Sequence, residues 1–224
     1  MGFLMYCAVP AHTQVQTKDS LLQTVSLQYT TDDTHNLRLK EVLIPTAVVG
    51  VSALFVHNGW LTRQRENVQD VLSAKGKHKF ELDNYSQYTP MVIVYGLNLC
   101  GIKGKHGFKD RTILLAMSYA TMGILVNSMK FTFREKRPDS NAHNSFPSGH
   151  TATAFMGAEF LHKEYKDISP WIGYVGYAVA ATTGYLRIYN NRHYINDVIA
   201  GACIGITSVK LAYWLYPKCF TKAK

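Results

Sequence analysis

Two histidines, one aspartate and three basic residues occur in this chain in an order and spacing that could move a phosphoryl group. His193 and Asp197 stand four apart, so on a helix they share a face. A carboxylate in that place can hold one imidazole nitrogen, fix the tautomer and leave the other nitrogen free to attack phosphorus. His150 lies in the stretch Asn144–Ala154, NSFPSGHTATA, directly before an apolar run. Ser148 in that stretch reads as a helix cap. A helix start presents unpaired N–H groups and a partial positive charge, which suits an anion such as phosphate. Gly149 carries no side chain to block the approach, and His150 can protonate whatever leaves. Lys130 and Arg137 upstream and Arg187 downstream add three cations, two of them planar forks that grip a pair of oxygens at once.

A phosphoryl group in transfer spreads negative charge over three equatorial oxygens, so its catalysis is largely positioning plus electrostatics. Three cations, a helix start and two histidines with separate roles match an in-line displacement through a phosphohistidine. Each residue alone has a plainer reading. Lys130 and Arg137 flank an apolar run as anchors do, Arg187 fits a snorkelling end residue, and His193 with Asp197 fits a helix-surface pair. The combination, in this order, is what those readings fail to explain.

Composition narrows the partners. The formal net charge is +9, which favours anionic partners: a membrane surface, nucleic acid or phosphorylated substrates. The lysines cluster at the ends of apolar runs, and no aromatic-interleaved basic surface or nucleic-acid motif is present. Nucleic acid is therefore not expected. Cys7, Cys100, Cys203 and Cys219 lack metal-ligand spacing. Cys100 and Cys203 sit inside apolar runs and read as buried free thiols. No zinc or iron site is legible, and no cofactor is expected.

The elements that must position these residues are apolar runs separated by charged links. The runs are Val42–Val56, Pro90–Ile102, Thr112–Met129, Thr151–Leu161, Ser169–Leu186 and Val198–Tyr216. Thr112–Met129 and Ser169–Leu186 are each 18 residues without a charge, the length of a membrane span. Glu159 and Lys210 interrupt two others, and the mean hydropathy lies slightly below zero. A soluble all-helical protein is thus the alternative to a membrane-embedded helical bundle. Gly201 and Gly205 form a GxxxG pair suited to close helix packing. Trp60, Tyr88, Trp171, Trp214 and Tyr216 gather at run ends, as an interfacial belt does.

Residues 1–40 read as a separate N-terminal segment, and residues 41–224 as one helical domain. Gly2–Pro10 is a short apolar stretch with Ala8 or Ala11 before a candidate cleavage site, yet no Lys or Arg precedes it, so a cleaved signal stays open. Run parity puts all three motifs at one face. The opposite face receives Lys103, Lys105, Lys109, Arg111, Lys163, Lys166, Lys218, Lys222 and Lys224, which marks it as cytoplasmic. A cleaved signal followed by six crossings would invert that assignment. Either the signal is absent or one early run does not cross, and in the second case Val42–Val56 is the run expected to lie on the surface.

Lys130-x6-Arg137-Pro138, Pro147-Ser148-Gly149-His150 and Arg187-x5-His193-x3-Asp197 together resemble the three-part signature of the type 2 phosphatidic acid phosphatase (PAP2) superfamily. The matching residues cover Lys130–Asp197, and the hydrophobic layout extends the likeness over most of Thr112–Tyr216. The resemblance implies an all-α, membrane-embedded bundle of about five to six helices and metal-independent hydrolysis of a phosphate ester. It implies His193 as nucleophile, His150 as acid and Asp197 as the residue orienting His193. Lys130, Arg137, Ser148, Gly149 and Arg187 become phosphate binders. Leu186 departs from the serine usual before the third-motif arginine, which removes one hydrogen bond to phosphate. Short loops make bacterial membrane lipid phosphatases the most similar members. Their substrates include lipid A, phosphatidylglycerophosphate and undecaprenyl diphosphate, with lipid A the first expectation. An inner-membrane enzyme facing the periplasm follows from that likeness. A soluble acid phosphatase or vanadium haloperoxidase using the same cradle is the alternative, and a non-catalytic anion-binding membrane protein is a third.

Overall fold

A computed structural model describes residues 39–73 and 81–220. Among these residues the chain forms eight helices and no strand. Helix α1 spans Leu39–His57, α2 Gly59–Leu72, α3 Leu82–Ser86 and α4 Thr89–Leu99. Helix α5 spans Phe108–Phe133, α6 Gly149–Tyr165, α7 Pro170–Tyr189 and α8 Ile195–Phe220. The expected five to six helices become eight because short polar stretches also coil: α2 and α3 lie between the long apolar elements. Asn58 caps α2, its Oδ1 accepting from the amides of Trp60 and Leu61 at 3.1 and 3.2 Å. The N-terminal segment, with its signal question and Cys7, falls outside the described residues apart from its last two positions.

Helix α6 is the axis of the bundle. It packs against α7 and α8 over most of its length, with α4 and α5 on its remaining sides. Small residues make that close approach possible. A Cβ on Gly201 would stand 2.5 Å from the Ser148 carbonyl oxygen, and one on Gly205 would stand 2.3 Å from that of Ala152. The GxxxG pair therefore lets the backbone of α8 lie directly on α6. Around this contact Met91, Val94, Leu114, Met122, Val126, Met156, Phe160 and Leu161 form the main core.

Helices α1, α5 and α8 are long and apolar enough to cross a membrane. At about 1.5 Å per residue, the 26 residues of α5 exceed a hydrocarbon core of about 30 Å. Helix α1 thus differs from the expectation that Val42–Val56 lies on the surface. Its outer face carries Leu43, Ile44, Val51 and Leu54, each more than half exposed. So large an apolar face belongs against lipid rather than water. Helix α7 also departs from expectation. Tyrosines, threonines and glycines lower its mean hydropathy, and it is not among the three. The protein is a membrane-embedded helical bundle.

The charges that interrupt the apolar runs have partners, as charges at membrane depth require. Lys210 lies 3.7 Å from Glu41 of α1, and Tyr177 of α7 donates to Glu159. One cysteine expectation fails: Cys100 is exposed, because it caps the free end of α4.

Chain direction sets which ends meet. Helices α5 and α7 run into one end of the bundle, and α6 and α8 start from it. Helix α1 arrives at the same end, where His57 stacks on Phe133 with ring centroids 5.9 Å apart. Helix α4 leaves it, and its far end lies near Tyr165, whose hydroxyl donates to the Ile102 carbonyl at 3.2 Å. At that far end Glu164 accepts from the His106 amide and from Tyr213, and pairs with His106 Nδ1 at 2.7 Å. This buried acid ties the α4–α5 link to the foot of α6.

Candidate active site

The three motifs converge at the near end of the bundle. Ser148 is the cap of α6: its Oγ accepts from the Thr151 amide at 3.4 Å and from the Thr151 hydroxyl at 2.9 Å. The capping expectation is met, and Ser148 is wholly buried. Its own amide donates to the Asp197 carbonyl at 3.0 Å, which joins the second motif to the third. The next amides, of Gly149 and His150, lie in the first helical turn, where no carbonyl of the same helix can reach them. Above Gly149 there is room: a Cβ there would meet nothing closer than Val126 Cγ1 at 4.0 Å.

Helix α7 delivers Arg187, and a tight loop follows. The Arg187 carbonyl accepts from the amides of Arg192 and His193, at 2.9 and 3.3 Å, while Asn191 takes a left-handed φ of 57°. This turn aims His193 inward, only 1% exposed. Asp197 sits in the first turn of α8, fully buried. His193 Nδ1 lies 3.4 Å from Asp197 Oδ2, so the ring's second nitrogen, Nε2, is left for other chemistry. The same Oδ2 accepts from the Ser145 hydroxyl at 2.5 Å and from the Tyr194 amide at 3.1 Å. Three groups thus fix one carboxylate oxygen. Burial is the main cause that pushes His193 down to about 4 from its usual 6.5, and the Asp197 hydrogen bond only partly opposes it. The imidazole is therefore neutral, with a free lone pair, at ordinary pH.

Helix α5 and the loop after it supply the first motif. Lys130 Nζ donates to the Asn144 carbonyl, and Arg137 Nε donates to Asn144 Oδ1 at 2.7 Å. One asparagine thereby holds two cations at the rim. Both lie within electrostatic reach of Arg187, as His150 does of Arg187, His193 and Arg137. The eight residues singled out by spacing are therefore brought together. Leu186 is half-buried one step before Arg187.

Several members of this site carry no sequence signal. Asp83 of α3 accepts from Arg187 Nη1 at 2.6 Å, and both are buried. Ser145, which donates to Asp197, lies two residues before the second motif and outside it. Arg65 of α2 pairs with Glu135 beneath the first-motif loop, and its guanidinium lies 4.2 Å above the Tyr194 ring. Gln69 Nε2 donates to the Ile188 carbonyl at 3.0 Å and to Asn191 Oδ1 at 2.8 Å. Helix α2 is thus the floor that braces two motif loops. A run of polar residues at helical spacing hints at such a helix, but not at its partners.

Residues 111–221 match the PAP2 superfamily. The chain is 40% identical over 152 residues to the lipid A 1-phosphatase of Porphyromonas gingivalis, covering 67% of this chain and 34% of that protein. It is 37% identical over 75 residues to the bacitracin transport permease protein BcrC of Bacillus licheniformis, covering 34% of this chain and 35% of that one. The matched region spans about a third of the length of each of these relatives. Among solved structures, LpxE of Aquifex aeolicus aligns with a TM-score of 0.50 at 25% identity, covering 65% of this chain and 92% of that chain. The first transmembrane PAP2-type phosphatidylglycerolphosphate phosphatase from Bacillus subtilis aligns with a TM-score of 0.60 at 19% identity, covering 83% and 100%, a likeness of fold. Three motifs gathered at one end of a helical bundle, together with these matches, place the chain in the PAP2 superfamily.

Proposed function

We propose that this protein is a phosphatase that hydrolyses a phosphate ester of a membrane lipid through a phosphohistidine, with no metal in the chemistry. The observation that carries the reading is the buried His193–Asp197 pair beside three cations and the start of α6. The phosphate sits against Lys130, Arg137, Arg187 and the amides of Gly149 and His150. His193 Nε2 attacks phosphorus, and the ester oxygen leaves on the opposite side, taking a proton from His150, whose ring the anionic substrate keeps protonated against the burial that lowers it to about 4 in the free site. Asp197 stabilises the positive charge that develops on the His193 ring. In the second half, a water gives its proton to His150 and attacks phosphorus. Phosphate is released and His193 returns to neutral. Ser148 serves the cradle through the cap that fixes the first turn of α6.

The substrate reading rests on the membrane setting and on the likeness to an enzyme named as a lipid A 1-phosphatase. Lipid A is the first candidate, ahead of phosphatidylglycerophosphate and undecaprenyl diphosphate. The lysine-rich end carries Lys103, Lys105, Lys109, Lys163, Lys166 and Lys218, and the positive-inside rule assigns it to the cytoplasm. The catalytic end then faces the periplasm of a bacterial inner membrane. With α1 crossing as well, the start of α1 and the end of α8 lie on the same side of the membrane.

The test is phosphate release from those three lipids and an aryl phosphate, each with excess chelator. Release from one of the lipids, undiminished by chelator, is expected. Turnover that chelation abolishes and magnesium restores contradicts the histidine mechanism.

A further inference from the structure

Helix α2 turns two polar side chains inward at helical spacing. Arg65 and Gln69 stand four apart and are 3% and 4% exposed. Gln69 holds the loop after α7 through Ile188 and Asn191. Arg65 reaches both motif loops at once. Its Nη2 donates to Glu135 in the first-motif loop, and its guanidinium carbon lies 4.2 Å from the centre of the Tyr194 ring in the third.

Both contacts lead to the same atom. The Glu135 carbonyl accepts from the Ser145 amide at 2.9 Å, and the Ser145 hydroxyl donates to Asp197 Oδ2 at 2.5 Å. Tyr194 donates to that oxygen as well, from its amide at 3.1 Å. Asp197 Oδ1 is also buried and has no hydrogen-bond partner among the described residues. The angle of the carboxylate therefore rests on Oδ2, where His193 Nδ1 lies at 3.4 Å. A shift of Ser145 or Tyr194 turns the carboxylate away from the ring whose positive charge it stabilises when Nε2 attacks.

A buried ion pair is a costly way to fasten a helix. Apolar side chains of like volume often do so equally well, since no charge must then leave water. Arg65 also keeps Nε and Nη1 buried without a hydrogen-bond partner among the described residues, a further cost that packing does not explain. What the guanidinium supplies is one rigid plane that hydrogen-bonds to one loop and lies over the aromatic ring of the other.

We propose that Arg65 is a positioning residue for His193, acting through Asp197: it holds in place the Ser145 hydroxyl and the Tyr194 amide that fix Asp197 Oδ2. The inference rests on the phosphohistidine reading and adds to it a residue outside the phosphate cradle.

The full chain in detergent is assayed with p-nitrophenyl phosphate, and inorganic phosphate is titrated as inhibitor. Arg65→Gln is expected to lower kcat about tenfold to a hundredfold. Phosphate inhibition should stay within about twofold, because Lys130, Arg137 and Arg187 remain. Arg65→Lys keeps the charge but not the plane and should recover part of the loss. In an Asp197→Asn background, Arg65→Gln should change the remaining kcat by less than about twofold, since the two act as one unit. Arg65→Gln leaves Glu135 buried without its partner, so Arg65→Met combined with Glu135→Leu is the companion variant. This apolar pair should restore the melting temperature and not kcat. Ser145→Ala keeps every charge, and it carries the test if the Arg65 variants melt too low. It should lower kcat with phosphate inhibition unchanged. Recovery of kcat in the apolar pair makes Arg65 a plain brace and overturns the inference. So do an equal loss with and without Asp197, a weakening of phosphate inhibition that matches the loss of kcat, or an unchanged kcat in Ser145→Ala. Equal kcat in wild type and Asp197→Asn contradicts the phosphohistidine reading itself, whatever Arg65 does.

Discussion

Asp83 Oδ2 accepts a 2.6 Å hydrogen bond from Arg187 Nη1, so the arginine of the third motif is already paired with a buried carboxylate from α3. The pair leaves Arg187 Nε without a protein partner. An arginine held from one side in this way presents its remaining N–H groups in a fixed direction, which suits a bidentate grip on phosphate.

Asp83 is therefore expected to act as a positioning residue. Asp83→Asn keeps the shape and loses the charge. It should lower kcat/KM by about tenfold to a hundredfold, and weaken inhibition by inorganic phosphate to a similar degree. Asp83→Glu should recover part of both. If Asp83→Asn instead tightens phosphate inhibition, Asp83 competes with substrate rather than aiming Arg187.

Two glycines should respond oppositely to the same added methyl. Gly149 has open space above it, whereas Gly201 lies against the Ser148 carbonyl. Gly149→Ala should fold with an unchanged melting temperature and lose phosphate affinity, because the methyl occupies the anion's side of the first turn. Gly201→Ala should force α8 off α6 and lower the melting temperature sharply, with overpacking worth about 1–3 kcal/mol or more. Thermal melting with and without inorganic phosphate reads both outcomes.

The two histidines separate by leaving group. His193→Ala should stop transfer from every substrate. His150→Ala removes the proton donor, typically worth about 10²–10⁴-fold. An alkoxide needs that proton and a nitrophenolate needs it much less. His150→Ala should therefore lose most on a lipid phosphate and clearly less on p-nitrophenyl phosphate. Equal losses on the two substrates would rule out His150 as the acid.

Burial of His193 makes stability and activity depend on pH in the same direction. Its folded value, about 4, lies below the ordinary 6.5. Between these values the unfolded chain binds a proton that the native site does not, so stability falls as pH drops through that window. The full effect is on the order of 3 kcal/mol. Wild-type protein should lose melting temperature relative to His193→Gln as pH falls from 6.5 toward 4. The acid limb of kcat/KM should lie near the lower end of that range. Parallel melting curves for the two proteins would contradict a neutral buried His193.

Much of the site was legible before the fold. Spacing alone brought out His193, Asp197, His150 and the three cations, because a phosphoryl group demands those types and helix geometry limits where they stand. The Ser148 cap and the Gly201–Gly205 contact were legible for the same local reason. What spacing does not carry is a contact across the chain. Asp83 meets Arg187 from over a hundred residues away, and Arg65 braces Glu135 from seventy. Both belong to short polar helices whose buried polar residues have partners far along the chain. Helix α1 was hard to place for a similar reason, since the charge that its Glu41 meets, Lys210, lies on α8.

The central claim is that phosphorus passes through a covalent bond to His193. The direct measurement is rapid quenching of purified protein with a radiolabelled phosphate ester, followed by peptide mapping. A label that is acid-labile, alkali-stable and located on the peptide containing His193 is predicted. It should be absent in His193→Ala, and it should accumulate in His150→Ala when the aryl ester is used, because removal of the water's proton is then slow. A label on the His150 peptide would reverse the two roles. If wild type and His150→Ala turn over the ester and neither carries label at any quench time, water attacks directly and the account is contradicted.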